Sequence, residues 1–137
     1  MPVRLTARFT HSMKTVLQLE EVAMAAAGIY FLHLHDLGLS TWIWVLLFFS
    51  PDIGMAGYLF SSSIGAITYN VFHHKGLALV IAFIGHFFGN EILLAIGILL
   101  FAHSSFDRVF GYGLKYFSGF KDTHLGSLRK EISPVRD

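Results

Sequence analysis

The chain has 137 residues, 54% of them hydrophobic and 14% charged, with no cysteine and a formal net charge of +1. Soluble domains carry about 25% charged residues, so this composition points to a membrane solvent, and one domain is the natural count at this length. The small net charge, with basic residues near the ends of apolar segments, argues against a nucleic-acid partner; the missing cysteines exclude disulfides and thiolate metal sites, leaving His, Asp, Glu or Tyr as ligands.

Residues 1–15 read as a basic cytoplasmic arm carrying Arg4, Arg8 and Lys14. A membrane-crossing helix needs roughly 20 mostly apolar residues, and four stretches qualify. The first is 16–35; its AMAAAG run after a basic start mimics a secretory signal, but Glu20 and Glu21 interrupt what would have to be an uncharged core. The second begins after Ser40 with TWIWVLLFF and continues past Pro51 and Asp52 to about residue 60. A break near Pro51 is expected there, and Trp42 and Trp44 suit an interfacial belt. The third covers 64–88 and passes Asn70, His73, His74 and Lys75, with Gly76 permitting a bend. Only Gly89 and Asn90 separate it from the fourth, 91–106, which predicts a tight antiparallel hairpin; Gly85 and Gly89 form a GxxxG pair suited to close helix approach.

The predicted fold is all-α: a polytopic four-helix transmembrane bundle over 16–107, a structured cytoplasmic interfacial loop over 108–127, and a mobile tail over 128–137. Basic residues flank the first and last spans, while the opposite turns carry Asp36 and Glu91 and no Lys or Arg. Both termini are therefore expected on the cytoplasmic side of the cell membrane.

That topology gathers polar residues in one half of the bilayer. Counting inward at 1.5 Å per residue, Glu20, Asp52, Asn70, His73, His103 and Asp107 share the cytoplasmic half. His103 and Asp107 are four apart and project from one helical face, and Tyr69, Asn70 and His73 lie near one face of the third span. Asp52, His73, His103 and Asp107 are a candidate ligand set for zinc, iron or manganese, with Glu20 as a general-base candidate. The simpler alternative is a hydrogen-bonded packing network within the membrane. GYGLKY at 111–116 lacks the GxGxxG of a dinucleotide site. Its Lys115, with Arg108, is a candidate for a phosphate or anionic headgroup, or else an ordinary cytoplasmic anchor. His124 is a candidate proton carrier if the loop folds back onto the helix ends. His33 and His35 sit at the opposite interface, facing headgroups.

The order LE at 19–20, PDIGMAGY at 51–58, YNVFH at 69–73, AHSSFDRVFGYGLKY at 102–116 and GFKDTHLG at 119–126 resembles domain-of-unknown-function family 4260, a group of small bacterial integral membrane proteins. The resemblance covers about residues 17–127. It implies a four-helix membrane fold and draws attention to Glu20, Asp52, Tyr58, Asn70, His73, His103, Asp107, Arg108, Lys115 and His124. A weaker likeness is to membrane-bound metal-dependent hydrolases, through Pro51 with Asp52, His73, and His103 with Asp107; Gly54 and Met55 stand where a further acid and histidine would complete that pattern.

Two functions follow. The one preferred from sequence is a non-catalytic accessory subunit or transporter-like unit, since polar clusters in helix bundles are more often structural, with Tyr58 and Asn70 in its polar network. The alternative is a membrane-embedded metal-dependent hydrolase acting on a lipid-like or phosphate-bearing amphipathic substrate. The expected partners are membrane lipids, with self-association or a larger membrane complex.

Overall fold

The computed structural model describes residues 3–127, so the tail expected at 128–137 lies outside the described residues. Helix α1 runs Val3–Leu34. No Gly or Pro interrupts the sequence between Val3 and Ala27, and the expected basic arm simply extends the first span as helix. A turn with Leu37 and Gly38 at φ 55° and 72° leads into α2, Thr41–Phe48. Trp44 holds that turn by donating its indole N–H to the Asp36 carbonyl at 2.8 Å.

The break expected near Pro51 is present. Beyond α2 the chain continues as a 3-10 segment, Ser50–Leu59, unusually long for that geometry. What holds it is close contact with α3, Ser62–His73. A Cβ at Gly57 would fall 2.3 Å from the Thr68 hydroxyl oxygen, and that hydroxyl donates to the Gly54 carbonyl at 2.6 Å. Helix α4, Lys75–Phe87, then departs from α3 by 46°. The bend falls at His74, whose Nδ1 caps the new helix by accepting the Leu77 N–H at 3.1 Å. It was expected at most around Gly76; at that position a side chain would collide with the His74 ring.

The hairpin into α5, Glu91–Val109, forms as expected. Gly89 adopts φ 65°, and Asn90 caps α5 by accepting the Leu93 N–H at 3.0 Å. The close approach of α4 and α5 is made by Gly85 and Gly97, where an added Cβ would lie 2.3 Å from the backbone nitrogens of Leu94 and Ala82. Gly89 of the GxxxG pair serves the turn instead. Helix α5 also packs on α1, where a Cβ at Gly28 would meet that of Ala102 at 2.7 Å. The core around Leu32, Ala78, Ala95, Leu99 and Leu100 is small.

The largest apolar side chains point outward: Trp42 is 79% exposed, Leu59 86% and Phe60 81%. A surface of that kind suits lipid, not water. His11–Leu34, Thr41–Leu59 and Glu91–Val109 are long and apolar enough to cross a membrane, and α3 with α4 makes a fourth span if the bent pair counts as one. Among the described residues the fold is all-α, completed by a short hairpin of β1, Asp122–Thr123, and β2, Gly126–Ser127.

Candidate metal centre

Two interrupted helices and one continuous helix supply the polar cluster. Asp52 comes from the 3-10 segment, His73 is the last residue of α3 at the bend, and His103 and Asp107 sit one turn apart on α5. One donor atom from each of the four lies within 4.8 Å of all the others. His73 Nε2 is 3.1 Å from His103 Nε2, 3.5 Å from Asp52 Oδ1 and 3.2 Å from Asp107 Oδ2. His103 Nε2 is 3.3 Å from Asp52 Oδ1 and 3.8 Å from Asp107 Oδ1. Ligands about 2.1 Å from a tetrahedral metal are separated by about 3.4 Å, close to the distances of His73 from the other three residues and of His103 from Asp52, while the set as a whole extends to 4.8 Å.

Hydrogen bonding prepares the donors. His73 Nδ1 lies 2.9 Å from the Tyr69 carbonyl; a carbonyl only accepts, so this nitrogen donates, and Nε2 is the ring atom turned toward the cluster. The Tyr69 ring stacks on His73 with centroids 3.8 Å apart, and its hydroxyl donates to Asp107 Oδ2 at 2.9 Å. Both histidines are buried and Asp107 nearly so; Asp52 keeps 33% of its side chain exposed. Phe48 closes against His103, centroids 5.4 Å apart. Among the described residues, no lysine or arginine forms an ion pair with Asp52 or Asp107, whose ionic contacts are to the two histidines. Two imidazoles and two carboxylates thus face one another, a donor set of the kind that binds a divalent cation.

Of the other sequence candidates, Lys115 and Asn70 come close to this centre. Helix α5 ends in a Schellman turn: the Tyr112 N–H donates to the Asp107 carbonyl at 3.1 Å and the Gly111 N–H to the Arg108 carbonyl at 3.0 Å, with Gly111 at φ 85°. The chain is thereby returned over α3. Asn70 then grips Lys115 twice, its Oδ1 accepting the Lys115 N–H at 2.6 Å and its Nδ2 donating to the Lys115 carbonyl at 2.8 Å. Lys115 is 3% exposed, its ammonium has no hydrogen-bond partner among the described residues, and it lines a cavity of about 260 Å³ together with Asp52, Tyr69 and Asp107. Burial pulls its pKa below the ordinary lysine value, partly offset by Asp107.

The remaining candidates stand elsewhere. Glu20 lies on the exposed side of α1; its neighbour Glu21 turns inward instead, to an ion pair with Lys75 and to Arg108 at 4.0 Å. Arg108 is thus drawn to a protein carboxylate. His124 staples the loop, its Nδ1 accepting the Leu114 N–H at 2.8 Å while its ring covers Gly113; burial and the positive Arg108 lower its pKa from the usual 6.5. Tyr58 packs on Gly65 and meets Phe120 edge-on at 5.4 Å, but its buried hydroxyl has no partner, so it joins no polar network. His35, expected to face headgroups, bonds Glu91 at 2.9 Å. Tyr69 and Glu21 are the residues that sequence reading left out of the site and its supports. The four-residue spacing of Tyr69 and His73 was the signal for the first.

The model of a family described as a domain of unknown function (DUF4260) matches residues 14–128. No curated protein and no solved structure matches the chain.

Proposed function

The chain belongs to the family described as a domain of unknown function, DUF4260, and we propose that it is a membrane-embedded metal-dependent hydrolase centred on Asp52, His73, His103 and Asp107. The observation that carries this reading is the convergence of four donor atoms within 4.8 Å of one another, next to a cavity that Asp52 and Asp107 help to line. The mixed imidazole and carboxylate donors fit zinc, iron or manganese. Such an ion, when bound, makes a water molecule acidic enough to act as hydroxide near neutral pH.

The residues divide the remaining work. His73 and His103 would each present Nε2 to the ion, and Tyr69 holds Asp107 through its hydroxyl. Asp52, the most exposed of the four, faces the cavity and is the group placed to take a proton from water. The overall reaction adds one water across one ester bond: the water oxygen bonds to the electrophilic centre, and the departing oxygen leaves with a proton. Neither Glu20 nor His124 is needed. A purely structural accessory role requires no cavity beside the cluster, and the mixed imidazole and carboxylate donors suit a metal, which is why the catalytic reading is preferred here.

In the cell membrane the chain crosses an even number of times, with both termini cytoplasmic and lipids as its surroundings. Metal analysis of the detergent-purified chain tests the centre. One divalent ion per chain is expected, lost in Asp52→Asn and His103→Ala variants that keep the wild-type elution volume and helical circular dichroism. A well-folded wild type without stoichiometric metal, or variants that retain it, would overturn the proposal.

A further inference from the structure

We propose that the cavity beside the cluster seats a phosphate group carried by the substrate, with the Lys115 ammonium as its protein counter-charge. This inference rests on the metal reading above and specifies what the centre acts on. A buried ammonium without a hydrogen-bond partner is costly, and Lys115 meets that description, at 3% exposure and with an unpartnered Nζ.

Aromatic faces support the ammonium, Phe120 at 4.2 Å, Tyr69 at 5.1 Å and Tyr112 at 5.8 Å from the ring centroids. These satisfy the charge in part and leave its N–H donors without an acceptor. The same three rings line the cavity, together with Asp52 and Asp107. Delivery of this charge is a product of the local fold. The turn at Gly111 sends the chain back, and the paired bonds from Asn70 fix the Lys115 peptide. Arg108, the other cation proposed for an anion, is engaged by Glu21.

Size and charge select the ligand. A cavity of about 260 Å³ falls below the range of roughly 300–1,000 Å³ that encloses a drug-sized molecule, so it takes a headgroup rather than a whole amphiphile. A divalent ion would neutralise the two aspartates, leaving Lys115 as net positive charge. A phosphate has enough terminal oxygens to address the ion and the ammonium together. Without the ion, two carboxylates would repel it, so phosphate binding must depend on metal.

Calorimetric titration of the full-length, detergent-purified chain with inorganic phosphate tests this, before and after metal loading, in wild type, Lys115→Met and Lys115→Arg. Loaded wild type should bind phosphate and metal-stripped protein should not. Lys115→Met should keep its metal and lose phosphate affinity by about tenfold or more, with substantial recovery in Lys115→Arg. Metal-loaded wild type that ignores phosphate, or Lys115→Met that binds it as wild type does, overturns this inference and leaves the metal reading intact. Absence of metal from wild type overturns both. Repeating the titration in phosphatidylcholine nanodiscs with and without phosphatidic acid identifies the source. Displacement of inorganic phosphate by phosphatidic acid supports the site with a lipid-borne group, and unchanged binding supports it with a soluble one.

Discussion

Tyr69 shows how one side chain can govern a centre to which it contributes no ligand. Its carbonyl fixes the proton of His73, its ring lies against that imidazole, and its hydroxyl holds Asp107. Tyr69→Phe removes only the last of these. The variant should fold normally, because ring and backbone contacts persist, but its metal affinity should fall roughly 10- to 100-fold, the usual effect of deleting a group that orients a ligand. Competition with a chromophoric chelator would measure the change; unchanged affinity would mean that Asp107 needs no such support. The spacing of Tyr69 and His73 was readable in the sequence. The hydroxyl's choice of Asp107, on another helix, was not, because it depends on where the bend puts α3.

Among the elements, the regular and the broken helices have different tasks. Helix α5 is continuous, and its i,i+4 geometry already placed His103 with Asp107 from the sequence. The 3-10 segment and the α3–α4 bend bring in Asp52 and His73; irregular backbone at such depth is tolerated where protein contacts satisfy it, here the Thr68 hydroxyl on Gly54 and the His74 cap on Leu77. Pro51 announced the first irregularity. Gly76 only permitted the second, whose place is set instead by the His74 ring capping the helix that follows it. The inward turn of Glu21 and outward turn of Glu20 were likewise hidden, because adjacent positions differ by about 100° around a helix and only the partner helices decide which is buried. The α4–α5 hairpin holds the continuous half of the site in place. Gly97→Ala would set a methyl 2.3 Å from the Ala82 nitrogen, forcing the helices apart at a cost of about 1–3 kcal/mol. Thermal unfolding in detergent should begin at lower temperature in this variant, whereas Gly38→Ala, in an open turn with nothing within 4 Å, should report only the milder strain of its positive φ.

For the whole molecule, the small interior and greasy exterior explain why composition pointed to a membrane solvent, whereas the four expected spans are met by three helices of sufficient length and by the bent α3–α4 pair only if it counts as one. Apolar length is additive along the chain, whereas the site is a product of tertiary packing. What composition leaves to experiment is the direction of insertion. The bulk of the basic residues lies before the first span and after the last, and the turns bearing Asp36 and Glu91 have none. The charge asymmetry therefore predicts that the Lys115 loop, the cavity beside it and the four candidate ligands face the cytoplasm. A chain with no cysteine is ready for single-site labelling. Ser40→Cys in the turn before α2 and Ser118→Cys in the loop after α5 both occupy exposed positions. In intact cells a membrane-impermeant maleimide should modify Ser40→Cys at once and reach Ser118→Cys only after the membrane is opened. The reverse pattern would place the cavity on the outer face, and equal labelling of both in intact cells would show that the two ends of the bundle are not separated by the membrane.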